Sequence, residues 1–234
     1  LEMRKLLFAF LLFISFNVYA IERIALVIGN ANYQVKDLDN SVNDAKDIAA
    51  SLEELGFKVK LVEDANKTMM NKEIERFGLQ LKEKNTTSLF YYAGHAKQLY
   101  AVNYLLPINS IKAIGKNFKN LSETEKLERF NDEAISLGPL IKLIEDGNSK
   151  QNIIILDACR DNSLSGAQEG LSKMSLVSKN TLIAYSTSPG KFASDGGKSR
   201  NSPYTKQLLK FIKTPNQLIE SMLKDVGSAL DTET

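Results

Sequence analysis

The sequence has only one cysteine, one histidine and no tryptophan among its 234 residues. A single cysteine excludes an internal disulfide, and a single histidine leaves no cluster with the ligand spacing of a typical metal site. The 30 basic and 28 acidic residues nearly balance, so the overall charge gives no argument for nucleic acid or an anionic membrane as a partner. No Gly-x-Gly-x-x-Gly or Gly-x-Ser-x-Gly motif is present, and Gly197-Lys198-Ser199 lacks the earlier glycine of a phosphate loop.

The start of the chain has the pattern of a secretory signal peptide. Met3, Arg4 and Lys5 precede an apolar run that ends near Ala20, and Leu1-Glu2 form a two-residue extension in front. A membrane-spanning helix is the alternative, but it needs about 20 apolar residues and this run has roughly 15. We therefore expect cleavage after residue 20, one domain over 21–234, a secreted or periplasmic location and no stable membrane anchor.

Hydrophobic patterns predict alternating strands and helices with a mostly parallel sheet covered on both faces, an α/β fold. The chain also includes a predicted hairpin over 97–106 and a predicted loop over 109–131 that has at most one helical turn. Strands are predicted at 23–29, 57–62, 88–94, 152–158 and 181–186, and helices at 43–55, 68–84, 133–145, 201–212 and 216–229.

Two reactive residues are predicted to follow strands of this sheet. In open α/β sheets ligands bind outside the carboxyl ends of the strands, and both His95 and Cys159 come just after such an end. A thiol attacks a carbonyl only as thiolate, so a nearby imidazole that takes its proton would make Cys159 a nucleophile. The structural alternatives are a packed histidine and a small buried cysteine, but an apolar strand that turns abruptly into the charged segment 157–161 favours a site.

These features resemble the caspase superfamily of cysteine peptidases, and within it the paracaspases and the bacterial metacaspase-like proteins. The caspase signature places a histidine upstream of the cysteine, and here the two are 64 residues apart. The segments that carry the resemblance are 25–33, 42–45, 90–95, 154–162, 184–189 and 201–205.

The resemblance implies a caspase-like three-layer αβα sandwich and amide hydrolysis by a His95–Cys159 dyad. It implies an oxyanion site made by the backbone N–H groups of Cys159 and Ala96, where the family usually has glycine after the histidine. By their positions in the motifs, Asp44, Asp157 and Asp195 resemble an acidic specificity pocket. Because clustered carboxylates need a cation, we expect protein or peptide substrates that are cleaved after Arg or Lys.

Some interpretations stay open at the level of sequence. Asp44 can also stabilise a helix terminus and Asp195 can form a turn. We expect no cofactor, since acidic positions of the metacaspase calcium site are not evident, although calcium dependence is not excluded. Ala96 motivates the alternative of a weakly active or inactive caspase-fold protein that binds peptides or partners. Relatives commonly continue beyond the last helix, so a truncated C-terminus is a further expectation.

Overall fold

The computed structural model describes residues 21–82, 86–100, 102–160, 180–186 and 199–233, with the backbone alone for Cys159, Arg160 and Glu233. The predicted signal peptide and Asp195 lie outside the described residues. Within the described residues, no helix is both long enough and apolar enough to cross a membrane.

The described residues form one seven-stranded sheet. The strands are β1 (Glu22–Gly29), β2 (Lys58–Glu63), β3 (Thr86–Leu99), β4 (Val102–Leu105), β5 (Ile135–Ser136), β6 (Gln151–Arg160) and β7 (Thr181–Tyr185). Five of them run parallel in the order β2-β1-β3-β6-β7, and β4 and β5 are antiparallel additions next to the second half of β3.

Helices cover both faces of this sheet, because alternate residues of the central strands are apolar on each side. The helices are α1 (Ser41–Glu54), α2 (Lys67–Gln80), α3 (Ser110–Gly115), α4 (Glu123–Glu133), α5 (Leu137–Glu145), α6 (Pro203–Phe211) and α7 (Ile219–Glu233). Helices α2 and α5 pack on one face, and α1, α6 and α7 pack on the other. The predicted three-layer αβα sandwich with a mostly parallel sheet is confirmed.

The prediction of a loop over 109–131 was wrong. This stretch contains α3, a short 3₁₀ helix (Phe118–Asn120) and most of α4. A capping box begins α4, in which the Ser122 hydroxyl accepts from the backbone N–H of Glu125 and the Glu125 carboxylate accepts from the backbone N–H of Ser122. Phe118 and Phe130 anchor these short helices in a small apolar cluster with Tyr104 of β4.

The predicted helix over 133–145 begins later than its sequence pattern indicated. Ile135 and Ser136 pair with Leu105 and Tyr104 of β4, so this segment is a strand and α5 begins at Leu137. The strand with which this segment pairs, β4, lies about 30 residues earlier in the chain, so the hydrophobic pattern of the segment itself does not predict the pairing.

Gly29, the last residue of β1, permits a close approach between this strand and α1. A methyl group added at Gly29 would lie 2.6 Å from the Cβ of Ala45 and 2.6 Å from the carbonyl oxygen of Ser41. We expect Gly29→Ala to lower the free energy of unfolding by about 1–3 kcal/mol, because the helix backbone must shift to admit the methyl group. Urea unfolding should show a lower midpoint with an unchanged slope.

Gly227→Ala is the matched control for this substitution. An added methyl group at Gly227 in α7 meets no described atom within 4 Å, so the variant should be as stable as the parent or more stable by up to about 1 kcal/mol. Equal midpoints for Gly29→Ala and the parent protein would contradict the close approach.

Candidate functional site

His95 and Cys159 lie side by side on neighbouring parallel strands. His95 of β3 is the Cα partner of Cys159 of β6, and adjacent strands are about 4.8 Å apart. The prediction that both residues follow the ends of their strands was wrong, because the β3–β6 ladder continues to Ala96 and Arg160. The second half of β3 stays extended since it forms a hairpin with β4.

The main chain of His95 is held by buried hydrogen bonds. Its N–H donates to the Tyr33 hydroxyl at 2.8 Å, and its carbonyl accepts from the backbone N–H of Leu106 at 2.9 Å and from the Tyr92 hydroxyl at 2.8 Å. The ring of Tyr33 packs against the imidazole, with 4.5 Å between the ring centroids and 58° between their planes. The histidine is therefore positioned by its backbone and by its ring together.

The imidazole of His95 has a defined hydrogen-bond partner. Its Nε2 lies 2.8 Å from the carbonyl oxygen of Lys36, in the loop after β1. A carbonyl oxygen only accepts, so Nε2 carries the hydrogen in this contact. In the neutral ring Nδ1 is then the basic nitrogen, which is the form a general base requires.

Two buried tyrosine hydroxyls form the support beneath His95. The hydroxyls of Tyr33 and Tyr92 lie 3.2 Å apart, and both reach the carbonyl oxygen of Leu106. Burial is the main cause that raises the pKa of both phenols well above the usual value, so both stay neutral and keep their donor hydrogens.

The absence of a side chain at Gly94 makes space for these two hydroxyls. A methyl group at Gly94 would come within 2.6 Å of the Tyr33 hydroxyl and 2.7 Å of the Tyr92 hydroxyl. The roles of Tyr33 and Tyr92 were missed at the level of sequence, where the available signal was a glycine directly before the single histidine.

Ala96 takes part in the sheet on both sides, with Leu105 and Arg160 as its Cα partners. Because the carbonyl of His95 accepts from Leu106 of the β4 side, the N–H of Ala96 is directed to the opposite side of β3, toward β6. Ala96 is 1% exposed and belongs to the apolar cluster beneath α2 and α5.

Two of the three predicted acidic residues meet at Ser202, the residue that caps α6. The backbone N–H of Ser202 donates to Asp44 Oδ1 at 3.0 Å, and its hydroxyl donates to Asp157 Oδ2 at 2.5 Å. The Thr205 hydroxyl also donates to Asp157 Oδ2, at 2.7 Å. Asp44 and Asp157 are 1% and 7% exposed, so the structure places two buried carboxylates beside one another.

Burial and the two carboxylates both act on the neighbouring phenols. The pKa of Tyr91 is raised well above its usual value by burial and then by the charges of Asp157 and Asp44. Burial and Asp157 likewise raise the pKa of Tyr204. Both carboxylates thus disfavour a further negative charge nearby.

Hydrogen bonds and an ion pair hold the segment before Ser202 against α1. Arg200 binds the Asp47 carboxylate through two nitrogens at 2.7 and 2.8 Å, and Asn201 donates to Asp47 at 2.9 Å. The hydrogen bond and charge of Arg200 hold the pKa of Asp47 below its usual range. These contacts were not predicted, although Ser202 before Pro203 is a recognisable start of a helix.

The described residues contain no group of three or more His, Cys, Asp and Glu side chains that could hold a metal ion.

The chain matches the profile of a protein family and the sequences of related proteins. The sequence profile of the caspase domain (peptidase C14) matches residues 22–234. Mucosa-associated lymphoid tissue lymphoma translocation protein 1 of Homo sapiens is 23% identical over 170 residues, which are 72% of this chain and 19% of the human protein. Its Mus musculus homolog is 23% identical over 170 residues, which are 72% of this chain and 18% of that protein. The chain thus spans about a fifth of the length of these relatives.

Proposed function

The chain belongs to the caspase domain family, and from this premise we propose that it is a cysteine endopeptidase that cleaves peptide bonds after Arg or Lys. The observation that carries the proposal is the direct pairing of His95 with Cys159 on adjacent strands, with His95 Nε2 bonded to the Lys36 carbonyl. This contact leaves Nδ1 as the nitrogen that can take a proton.

The proposed reaction uses the two residues in turn. The imidazole of His95 takes the thiol proton of Cys159, and the thiolate attacks the carbonyl carbon of the scissile bond. His95 then delivers the proton to the leaving amine, and water hydrolyses the acyl-enzyme. Backbone N–H groups of Cys159 and Ala96 are the proposed donors to the oxyanion, as the family resemblance implies.

The proposed preference for a basic side chain follows from Asp44 and Asp157. Both carboxylates are buried, and Ser202 bridges them. An Arg or Lys side chain beside them would gain charge-assisted hydrogen bonds, whereas an Asp side chain would add a third negative charge. Asp195, which lies outside the described residues, is the third proposed member of this pocket.

Peptide reporters that differ only in the residue before the scissile bond test this function. We expect reporters that end in Arg or Lys to be cleaved at least about tenfold faster than the Asp-ended one, with no loss of activity in a chelator. Cys159→Ala should cleave none of them. Faster cleavage of the Asp-ended reporter would refute the acidic pocket.

An Arg-ended peptidyl chloromethyl ketone provides a second readout. Because the chain has one cysteine, a single mass increase in the intact protein that is absent in Cys159→Ala assigns the label to Cys159. Labelling without turnover of any reporter would instead indicate a protein that binds basic peptides and does not cleave them.

A further inference from the structure

A pocket of about 470 Å³ opens beside His95 on the side of β3 that carries β4. Its apolar floor is formed by Leu106 and Ile114, which are buried, and by Ile111, which is half-buried. Four lysines lie among the residues that line it: Lys36, Lys97, Lys112 and Lys116. No acidic residue lines this pocket in the part of the chain that the structure describes.

The pocket and Asp157 lie on opposite sides of His95. Asp157 lies on β6, at one edge of β3, whereas this pocket lies along the other edge, where β4 pairs. His95 is between them and contributes to the pocket wall. His95 protonates the leaving amine in the proposed reaction, so the part of a substrate that lies nearest this pocket would be the residues after the scissile bond.

We propose that this pocket binds the substrate on the carboxyl side of the scissile bond and selects an apolar side chain accompanied by acidic residues. The inference rests on the proposed peptidase function. The apolar floor excludes water around a side chain of the size of leucine, and the lysine rim is complementary to carboxylates. The preferred substrate would then be basic before the scissile bond and acidic after it.

Internally quenched reporters with the same Arg before the scissile bond test the pocket. Three versions continue with Leu-Glu-Glu, Leu-Gln-Gln or Gly-Gln-Gln. We expect kcat/KM to be about fivefold higher for Leu-Glu-Glu than for Leu-Gln-Gln at low salt, and about tenfold higher for Leu-Gln-Gln than for Gly-Gln-Gln. The advantage of the acidic version should shrink as salt is raised, because exposed charges are screened.

The double variant Lys112→Glu/Lys116→Glu should remove or reverse the preference for the acidic version. A short Arg reporter with a chromophore as its leaving group has no residues for the pocket, so its cleavage should be unchanged in this variant. Lys72→Glu/Lys224→Glu makes the same change of charge on exposed residues outside the pocket and should retain the preference. Equal cleavage of all three versions, or equal loss on the short reporter, overturns the proposal.

Binding to Cys159→Ala separates this proposal from the peptidase function. Fluorescence anisotropy should show tighter binding of a labelled Leu-Glu-Glu peptide than of a Gly-Gln-Gln peptide, and this difference should become smaller in Lys112→Glu/Lys116→Glu, where only the contribution of the leucine remains. If no reporter is cleaved, the proposed function fails, while equal binding of the two peptides is the result that overturns the pocket.

Discussion

His95→Ala is expected to lower kcat for an Arg-ended reporter by about 10²–10⁴-fold, the usual contribution of a positioned acid–base group. The effect should appear in kcat more than in KM, because His95 acts on the proton and not on the basic side chain of the substrate. Alkylation of Cys159 by the Arg chloromethyl ketone should slow as well, because the thiol loses the base that takes its proton.

His95→Gln is the matched variant that separates the loss of proton transfer from the loss of the hydrogen bond to Lys36. A glutamine amide can still donate to the Lys36 carbonyl, which His95 Nε2 contacts at 2.8 Å, but it does not exchange a proton. Both variants should therefore lose turnover to a similar degree, and His95→Gln should unfold at a urea midpoint close to that of the parent. Recovery of turnover in His95→Gln would show that the histidine is structural.

The tautomer of His95 gives a direct test of the same geometry. The chain has one histidine, so a preparation without a histidine tag has one imidazole spectrum in ¹⁵N NMR. At alkaline pH, where the ring is neutral, we expect the hydrogen on Nε2 because this nitrogen faces the Lys36 carbonyl. A hydrogen on Nδ1 would leave the ring without a basic nitrogen for Cys159.

The fold was predictable where one segment carries its own signal. The β-branched run of β1 and the apolar period of α1 gave elements whose bounds differ from the structure by one or two residues. The segment 109–131 carries few apolar residues, and its helices depend on Phe118 and Phe130 packing against the β3–β4 hairpin. Such packing joins distant parts of the chain and overrides local preference.

The candidate site was also predictable only in part from the sequence. Cys159 and His95 were predictable because the chain offers no other thiol or imidazole, and the resemblance supplied Asp44 and Asp157. The hydroxyl of Tyr33 was not predictable as a support for His95, because the two residues are 62 positions apart in the sequence. Ser202 bridges the two carboxylates only after α6 has docked beside α1, so its role also depends on tertiary structure.

The largest effect on specificity is expected for Asp157→Asn. An asparagine keeps the shape of the side chain, and its amide oxygen can still accept from the hydroxyls of Ser202 and Thr205. The negative charge is lost, so an Arg side chain in the pocket loses about 3 kcal/mol of interaction and kcat/KM falls about 100-fold. The ratio of Arg-ended to Asp-ended cleavage measures this change, and the ratio should fall by about the same factor.

Glu53→Gln is the control for the loss of one charge, because Glu53 lies exposed near the end of α1, the helix that carries Asp44. This variant should cleave the Arg-ended reporter as fast as the parent. If Asp157→Asn slows Arg-ended and Asp-ended reporters by the same factor, Asp157 supports the fold of the site and does not select the substrate. A selective loss on the Arg-ended reporter, with an unchanged rate of Cys159 labelling by iodoacetamide, would place the effect in the pocket and leave the His95–Cys159 pair intact.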